Sequence, residues 1–514
     1  MPLLPLFSTL LPPFHCPLPF FTDWVQNVPA AEFEWGSLEE WNVTNVKDFS
    51  FAFSTRRDKV GHYLQNGNPK AASFDGAGLE SWDTSSLTTL DRTFTGASLM
   101  NADLGNWSIS KVIDLTGTFD QATLFTGEGI DLWITSSVIK MRDTFKGADK
   151  MDARLGGWDV ARVETLYQTF YGAREFRGSG LDSWKTSAVT GMSATFASAG
   201  KMNADLSKWS VGQVTTLEST FSNAYKFTGS GLSSWITTSV ASLYYTFAGA
   251  RQMNSDLSKW SVAKVTTLED TFYGASKFAG TGLDSWDTTS VTTLQSTFDS
   301  AGAMNADLSA WKVAKVTTLE ATFFNAVKFI GTGLDSWDIL KVKNMVLTFS
   351  GATAIPACTK NAIADAWKSY LVFNGTTYAT SWVNKSWVNK TCPAFAPSPP
   401  SPPSAPSPSS PTTLSPAPLP PPPRTPSPQS HPPRTATPPC TCGVPRPGGT
   451  DQQCSNCTVI ILQPPLTPLG PGGSSGGPGT SAPPSTVTVV FTVPLPRLSN
   501  ITLGNMTCVQ YYEV

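Results

Sequence analysis

Residues 202–235, MNADLSKWSVGQVTTLESTFSNAYKFTGSGLSSW, contain the motif that decides the fold of this 514-residue chain. Counted from Trp209, the stretch places Val at +5, Leu at +8, Phe at +12 and Ala at +15, and the next tryptophan follows after 26 residues. The same pattern recurs along the chain at intervals that alternate between 25 and 26 residues. A fixed period of this length is the signature of a protein built from stacked repeats.

The tryptophan and the phenylalanine of each copy form the predicted structural core, because each ring buries about 150–250 Å². The regular copies begin at Trp82, Trp107, Trp133, Trp158, Trp184, Trp209, Trp235, Trp260, Trp286, Trp311 and Trp337. The phenylalanines at +12 are Phe94, Phe119, Phe145, Phe170, Phe196, Phe221, Phe247, Phe272, Phe298, Phe323 and Phe349. An earlier copy begins at Trp41 and carries an insert after Phe53.

Local patterns within a copy predict one short strand and one short helix. The apolar residues at +5, +8, +12 and +15 have helical spacing, which predicts a helix from about +7 to +14. The order Thr215-x-x-Glu218 resembles a capping box at the start of that helix. The stretch Leu-x-x-Trp-x-Val is the predicted strand, with Leu, Trp and Val facing inward.

The repeat resembles that of BspA-like leucine-rich-repeat surface proteins. The pattern L-s-x-W-d-v-x-x-V-t-x-L-x-x-T-F-x-g-A-x-x-M/F-n covers about residues 33–352 and departs from the family mainly by Thr-Phe where Met-Phe is common. We therefore expect an α/β repeat fold, a leucine-rich-repeat-like solenoid of about twelve turns. The resemblance implies a surface-exposed, non-catalytic protein linked to adhesion or recognition, and it implies no particular ligand.

Composition divides the chain into five predicted segments. The predicted boundaries are an apolar lead at 1–32, the repeats at 33–355, a C-terminal cap at 356–392, a Pro/Ser-rich stalk at 393–440, and a Cys/Gly/Pro-rich tail with a partial β segment at 441–514. The lead is a degenerate signal peptide, a misplaced start or a disordered segment. The stalk resembles plant and algal hydroxyproline-rich glycoproteins and favours extended polyproline II, with a cytosolic SH3 or WW ligand as the alternative.

Cysteines and glycosylation sequons concentrate after the repeats, as is typical of a secreted or cell-wall protein. We expect a disulfide between Cys358 and Cys392, with two free thiols as the alternative. Cys440-x-Cys442 and Cys454-x-x-Cys457 are consistent with a small disulfide knot or, less well, with a zinc site. The expected glycosylation sites are Asn374, Asn384, Asn389, Asn456, Asn500 and Asn505.

Several functional classes are not supported by the sequence. A net charge of −2 with 14% charged residues gives no basic field for nucleic acid. The three histidines are far apart, so we expect no catalytic residues, no cofactor and no metal. Asn203-x-Asp205 and its equivalents suggested calcium, but turn capping explains them better, since equivalent carboxylates lie about 10 Å apart in a stack. No window is apolar for long enough to span a membrane.

Three functional hypotheses follow. The first is a non-catalytic recognition or adhesion protein of the cell surface or wall, which binds an unknown protein or polysaccharide. The second is a self-associating structural glycoprotein of the wall. The third is an enzyme, which would need a cluster of titratable groups in the insert at 54–73 or in the tail.

Overall fold

The computed structural model describes residues 37–58 and 62–383. These residues belong to the first of the two units into which the chain divides, 1–405 and 406–514. The predicted lead, stalk and Cys-rich tail, at 1–32, 393–440 and 441–514, therefore lie outside the described residues.

The repeats contact one another through short elements. Three α-helices follow them: α1 (Ala357–Trp367), α2 (Leu371–Asn374) and α3 (Thr377–Ser381). Short 3₁₀ turns span Leu38–Glu40, Pro69–Ser73, Ile130–Leu132, Leu181–Ser183, Leu232–Ser234, Leu283–Ser285 and Leu334–Ser336. Single-residue parallel bridges link successive repeats through Asp48, Thr89, Asp114, Lys140, Thr165, Gly191, Thr216, Ser242, Thr267 and Thr293, and link Thr318 to Asn344.

The expected α/β fold, a strand plus a helix in each turn of a leucine-rich-repeat-like solenoid, is wrong. In the described part of the repeats the only strand-like pairing is by isolated bridges, and there is no α-helix. The residue at +10 has a positive φ in every repeat, as at Ser219 (54°), and from Trp82 onward so does the residue at +14, as at Asn223 (56°). Because an α-helix needs φ near −63°, each of these residues excludes it.

A ladder of backbone hydrogen bonds replaces the predicted helix. The amides of Leu217, Ser219, Phe221 and Asn223 donate to carbonyls of the next repeat at 2.7–3.3 Å. The intervening amides of Thr220 and Ser222 donate three residues back, to Leu217 and Ser219. Glu218 does not cap a helix, because its Oε1 accepts a hydrogen bond from Ser242 Oγ of the next turn. Overlapping turns thus satisfy the buried backbone and reproduce the spacing of apolar residues that suggested a helix.

The threonine at +11 adds a second ladder. Each hydroxyl from Thr93 to Thr348 lies within hydrogen-bonding distance of the +8 carbonyl of the preceding repeat, at 2.8–3.0 Å, as Thr220 does of Met192. Most of them also lie 2.7–2.9 Å from the +8 carbonyl of their own repeat, and the one hydroxyl proton is shared between the two acceptors. These threonines are fully buried. The Thr-Phe pair that departs from the BspA-like pattern therefore faces the neighbouring turn.

The aromatic residues fill the interior. Every tryptophan from Trp82 to Trp337 is at most 3% exposed, and its Nε1 donates to a carbonyl of the preceding repeat at 2.8–3.2 Å. The +12 phenylalanines, from Phe53 to Phe349, stack in one continuous column with ring centroids 5.5–5.7 Å apart. Such stacked pairs stabilise a fold beyond the area that they bury.

The end of the repeats packs against the short helices. Trp367 of α1 is fully buried, with its ring 6.1 Å from that of Phe349. Trp382, just after α3, lies 4.8 Å from the same phenylalanine. None of the helices within residues 37–58 and 62–383 has the length and hydropathy to cross a membrane.

Candidate recognition surface

The repeats differ from one another at several positions outside the constant core columns, and three of these positions lie on the turn that replaces the predicted helix. Residues at +5, +8, +11, +12 and +15 keep nearly the same identity, whereas those at +9, +10 and +13 change from turn to turn. We call the +9, +10 and +13 residues of the repeats from Trp82 to Trp337 the variable face. Its charged and aromatic members are Asp91, Arg92, Asp120, Arg142, Asp143, Lys146, Tyr167, Tyr171, Glu218, Tyr244, Tyr245, Glu269, Asp270, Tyr273, Asp299, Glu320 and Phe324.

The backbone explains why these columns can vary. The residues at +8 and +12, such as Leu217 and Phe221, are directed into the core, whereas the side chains at +9, +10 and +13 range from buried, as at Asp270, to exposed, as at Tyr171 and Tyr273. Equivalent residues of successive repeats are joined by the inter-turn hydrogen bonds, so each column is a row of side chains with a spacing of about 4.8 Å. The scaffold thus holds different side chains at equivalent places.

The N-terminal part of the variable face is a network of opposite charges. Asp120 pairs with Arg56 at 3.0 Å, and Asp143 lies 3.2 Å from Arg142 and 3.7 Å from Lys146. Burial raises the pKa of Asp120, and the nearby Arg56 partly offsets this effect. In this part of the face, therefore, the charges largely neutralise each other.

The insert after Phe53 borders this network. Arg57 and Tyr63, on either side of residues 59–61, form an antiparallel bridge. Tyr63 is 58% exposed, and its ring lies 6.2 Å from that of Phe51. The guanidinium of Arg92 lies over the ring of Phe51, 5.6 Å from its centroid. The insert thus extends the exposed aromatic surface.

Tyrosines occupy the centre of the variable face. Arg142 lies 4.3 Å above the ring of Tyr167, and Lys146 lies 6.0 Å from that of Tyr171. These cation–π contacts join neighbouring turns. Tyr171 remains 39% exposed. The next repeat, that of Trp184, carries only serine and alanine at +9, +10 and +13, so no large side chain of that repeat covers the tyrosine rings.

The C-terminal part of the variable face combines tyrosines with carboxylates. The rings of Tyr244 and Tyr245 lie 4.5 Å apart. Burial raises the pKa of Asp270 to about 6, a hydrogen bond from Tyr245 opposes that shift, and Glu269 and Asp299 add to it. Burial, together with the charge of Asp270, raises the pKa of Tyr245 to about 12.

The Asn and Asp residues considered for calcium are engaged in hydrogen bonds. Asp205 Oδ1 accepts a hydrogen bond from the amide of Ser207 at 2.9 Å. Asn203 Oδ1 accepts from the amide and the hydroxyl of Thr228 in the next repeat, both at 2.9 Å. In residues 37–58 and 62–383 no group of three His, Cys, Asp or Glu side chains is arranged to hold a metal.

Most of the other expected sites lie beyond Val383. Cys358 lies in α1 and is 6% exposed, whereas Cys392 is outside the described residues, so their pairing stays a prediction. Asn374 is exposed at the end of α2, and its Nδ2 donates to the carbonyl of Lys368. The other expected glycosylation sites, Asn384, Asn389, Asn456, Asn500 and Asn505, are also outside the described residues.

The variable face was not among the expected sites. The sequence does hold the signal, since aligning the repeats on their tryptophans separates constant columns from variable ones. The predicted helix would have grouped the same columns, because +9 and +13, and likewise +10 and +13, have the i, i+4 and i, i+3 spacings that share one helix face.

Comparison with known proteins gives one match. A family model described as "Mycoplasma protein of unknown function, DUF285" matches residues 27–155, 62–179, 143–260 and 241–362. Together these overlapping tandem matches cover well over half of the chain. Neither the curated proteins nor the solved structures contain a match.

Proposed function

Since this chain belongs to the DUF285 family and repeats its motif in tandem, we propose that it is a non-catalytic recognition or adhesion protein of the cell surface or cell wall. The repeats are the scaffold, and the variable face is the binding surface. The observation that carries the proposal is the contrast between constant inner columns and variable outer ones.

The exposed columns differ in how much they vary. The +1 column, for example, changes between aspartate, serine, isoleucine and lysine. The exposed column at +6 is mostly threonine in the later repeats, as at Thr215, Thr266 and Thr317, although substitutions at exposed sites generally change stability little. The variable face instead alternates between tyrosine, carboxylate, cation and small residues. A constant scaffold with changing aromatic and charged side chains is typical of a surface that recognises a partner.

The aromatic content supports the same conclusion. Tyr171 and Tyr273 of the variable face are 39% and 45% exposed, and Tyr225, at +16 beside it, is 43% exposed. Tyrosine offers a large contact area with few rotatable bonds and a hydroxyl for hydrogen bonding, which is why it is enriched in recognition surfaces. A long row of such side chains suits an extended ligand, either a polysaccharide or a polypeptide.

Three features support a location at the cell surface. The repeat resembles that of BspA-like surface proteins, the chain after the repeats combines cysteines with glycosylation sequons, and Asn374 of one such sequon is exposed. The Pro/Ser-rich segment at 393–440 suits a spacer that resembles hydroxyproline-rich wall glycoproteins.

The test uses the full chain on glycan and peptide arrays. A variant with Tyr167→Ala, Tyr171→Ala and Tyr273→Ala is expected to lose the bound ligands. A control with Leu132→Ala and Ile236→Ala removes residues that are 69% and 60% exposed outside the variable face, and is expected to keep them.

Two results would contradict the proposal. One is that neither array retains the chain. The other is that the two variants lose binding equally. An apparent molecular mass by light scattering that rises with protein concentration, in the wild type and in the tyrosine variant alike, would favour the self-associating wall protein instead.

A further inference from the structure

The C-terminal half of the variable face carries a uniform charge. From the repeat of Trp184 to that of Trp337, the +9, +10 and +13 columns contain no lysine or arginine. The same columns contain five carboxylates: Glu218, Glu269, Asp270, Asp299 and Glu320. We call these five residues, with Tyr244, Tyr245 and Tyr273, the acidic tyrosine patch.

The carboxylates of this patch lack the cationic partners that carboxylates have elsewhere on the same face. Asp120 and Asp143 form ion pairs at 3.0 and 3.2 Å, whereas none of the five takes part in an ion pair among the described residues. Their partners are neutral: Glu218 accepts from Ser242 Oγ at 3.0 Å and Glu320 from Asn344 Nδ2 at 2.8 Å. The negative charge of the patch is therefore left for a partner outside the repeats to balance.

The electrostatics of the patch reflect the same lack of compensation. Burial, together with the charges of Glu269 and Asp299 and against the hydrogen bond from Tyr245, raises the pKa of Asp270 to about 6. Burial likewise raises the pKa of Asp299. Carboxylates that disfavour each other's ionisation gain the most from an approaching cation.

The tyrosines provide the second feature that a cation needs. Tyr244 and Tyr245 meet edge to face with ring centroids 4.5 Å apart, and Tyr273 is 45% exposed in the adjacent repeat. Aromatic faces attract ammonium and guanidinium groups at about 6 Å or less. The protein already uses this contact where Arg251, at +16, lies 5.1 Å from the ring of Tyr225.

We propose that the acidic tyrosine patch binds an extended, lysine- or arginine-rich segment of another protein. The inference rests on the variable face being the binding surface. Glu218 and Glu320 lie four repeats apart, about 19 Å at the usual inter-turn spacing, which matches about six residues of extended peptide. The peptide's cationic side chains lie between the carboxylates and the tyrosine rings, and complementary charge selects it over neutral or acidic chains.

The experiment measures binding of the full chain to a labelled peptide of about twelve residues with alternating Lys and Ser, by fluorescence anisotropy. The same peptide with Glu for Lys is the probe control. A variant with Glu269→Gln and Asp270→Asn removes two charges from the patch. The matched control, Asp284→Asn with Asp335→Asn, removes two charges from exposed 3₁₀ turns outside the variable face.

We expect the basic peptide to bind, its affinity to fall as salt is raised, and the patch variant to bind about tenfold more weakly. The control variant is expected to stay within about twofold of wild type, since it changes only distant, screened charges. Equal binding of the Glu peptide, equal weakening by both variants, or no binding of the basic peptide would overturn the inference.

The array experiment distinguishes failure of the peptide inference from failure of the proposed recognition function. If the variable-face tyrosines are needed for a polysaccharide while the basic peptide does not bind, the recognition function stands and the peptide inference is wrong. If no array ligand depends on those tyrosines, both are wrong.

Discussion

Replacing Thr220 with valine tests the threonine ladder with little change in shape. Thr220 is fully buried, and its hydroxyl contacts the carbonyl of Met192 in the preceding repeat at 2.9 Å and that of Leu217 in its own repeat at 2.7 Å. The hydroxyl has one proton, so the substitution removes one hydrogen bond. Each carbonyl keeps a backbone donor, from Thr195 and from Thr220 itself, so no buried acceptor is left bare.

The expected cost of Thr220→Val is therefore about 1 kcal/mol of unfolding free energy, the net value of one buried hydrogen bond. Urea unfolding followed by tryptophan fluorescence measures it. Thr215→Val is the control, because the hydroxyl of Thr215 is exposed and its hydrogen bond to the carbonyl of Thr190 is long, at 3.4 Å. This substitution is expected to change the free energy of unfolding by less than about 0.5 kcal/mol. Equal effects of the two substitutions would refute the role of the ladder.

Three further predictions concern single sites. Gly231→Ala is expected to lower the free energy of unfolding in urea by more than about 2 kcal/mol, because Gly231 has φ 87° and a Cβ there would lie 2.1 Å from the amide nitrogen of Ser207. Gly212→Ala is the control: a Cβ at Gly212 would have no atom within 4 Å, so this substitution should leave the free energy of unfolding unchanged. The pKa of Asp270 is raised from 3.8 to about 6, so the stability that its protonation contributes to the folded state is lost as pH rises from about 4 to about 6. Urea unfolding midpoints should therefore fall over that pH range, and they should fall less in Asp270→Asn. An identical pH profile in the wild type and the variant would contradict the shift. Mass mapping of non-reduced peptides should recover Cys358 linked to Cys392, and finding both as thiols would exclude the bond.

The periodicity of the sequence predicts which residues lie in the interior but does not determine their backbone conformation. The tryptophan and phenylalanine columns lie inside because a unit of about 25 residues has too little core to fold alone. The spacing of buried residues, however, is the same for a short helix and for overlapping turns. Length and apolar pattern therefore selected the wrong element.

Hydrogen bonds between successive repeats favour overlapping turns over a short helix. Gln168 and Tyr245, at +10, have positive φ although their side chains give no local sign of it. The amide of Tyr245 donates to the carbonyl of Glu269 in the next repeat, a contact that only the stack provides. Such long-range bonds hold non-glycine residues in a conformation that local propensity disfavours.

The central claim is that the repeats form a constant scaffold whose variable face can change without harm to the fold. The most direct test exchanges the half-buried +9 residues of two repeats in one chain of unchanged composition: Ser193→Tyr and Tyr244→Ser. We predict that the unfolding free energy in urea stays within about 0.5 kcal/mol of wild type. A loss of more than about 2 kcal/mol would show that these side chains belong to the fold and would contradict the account.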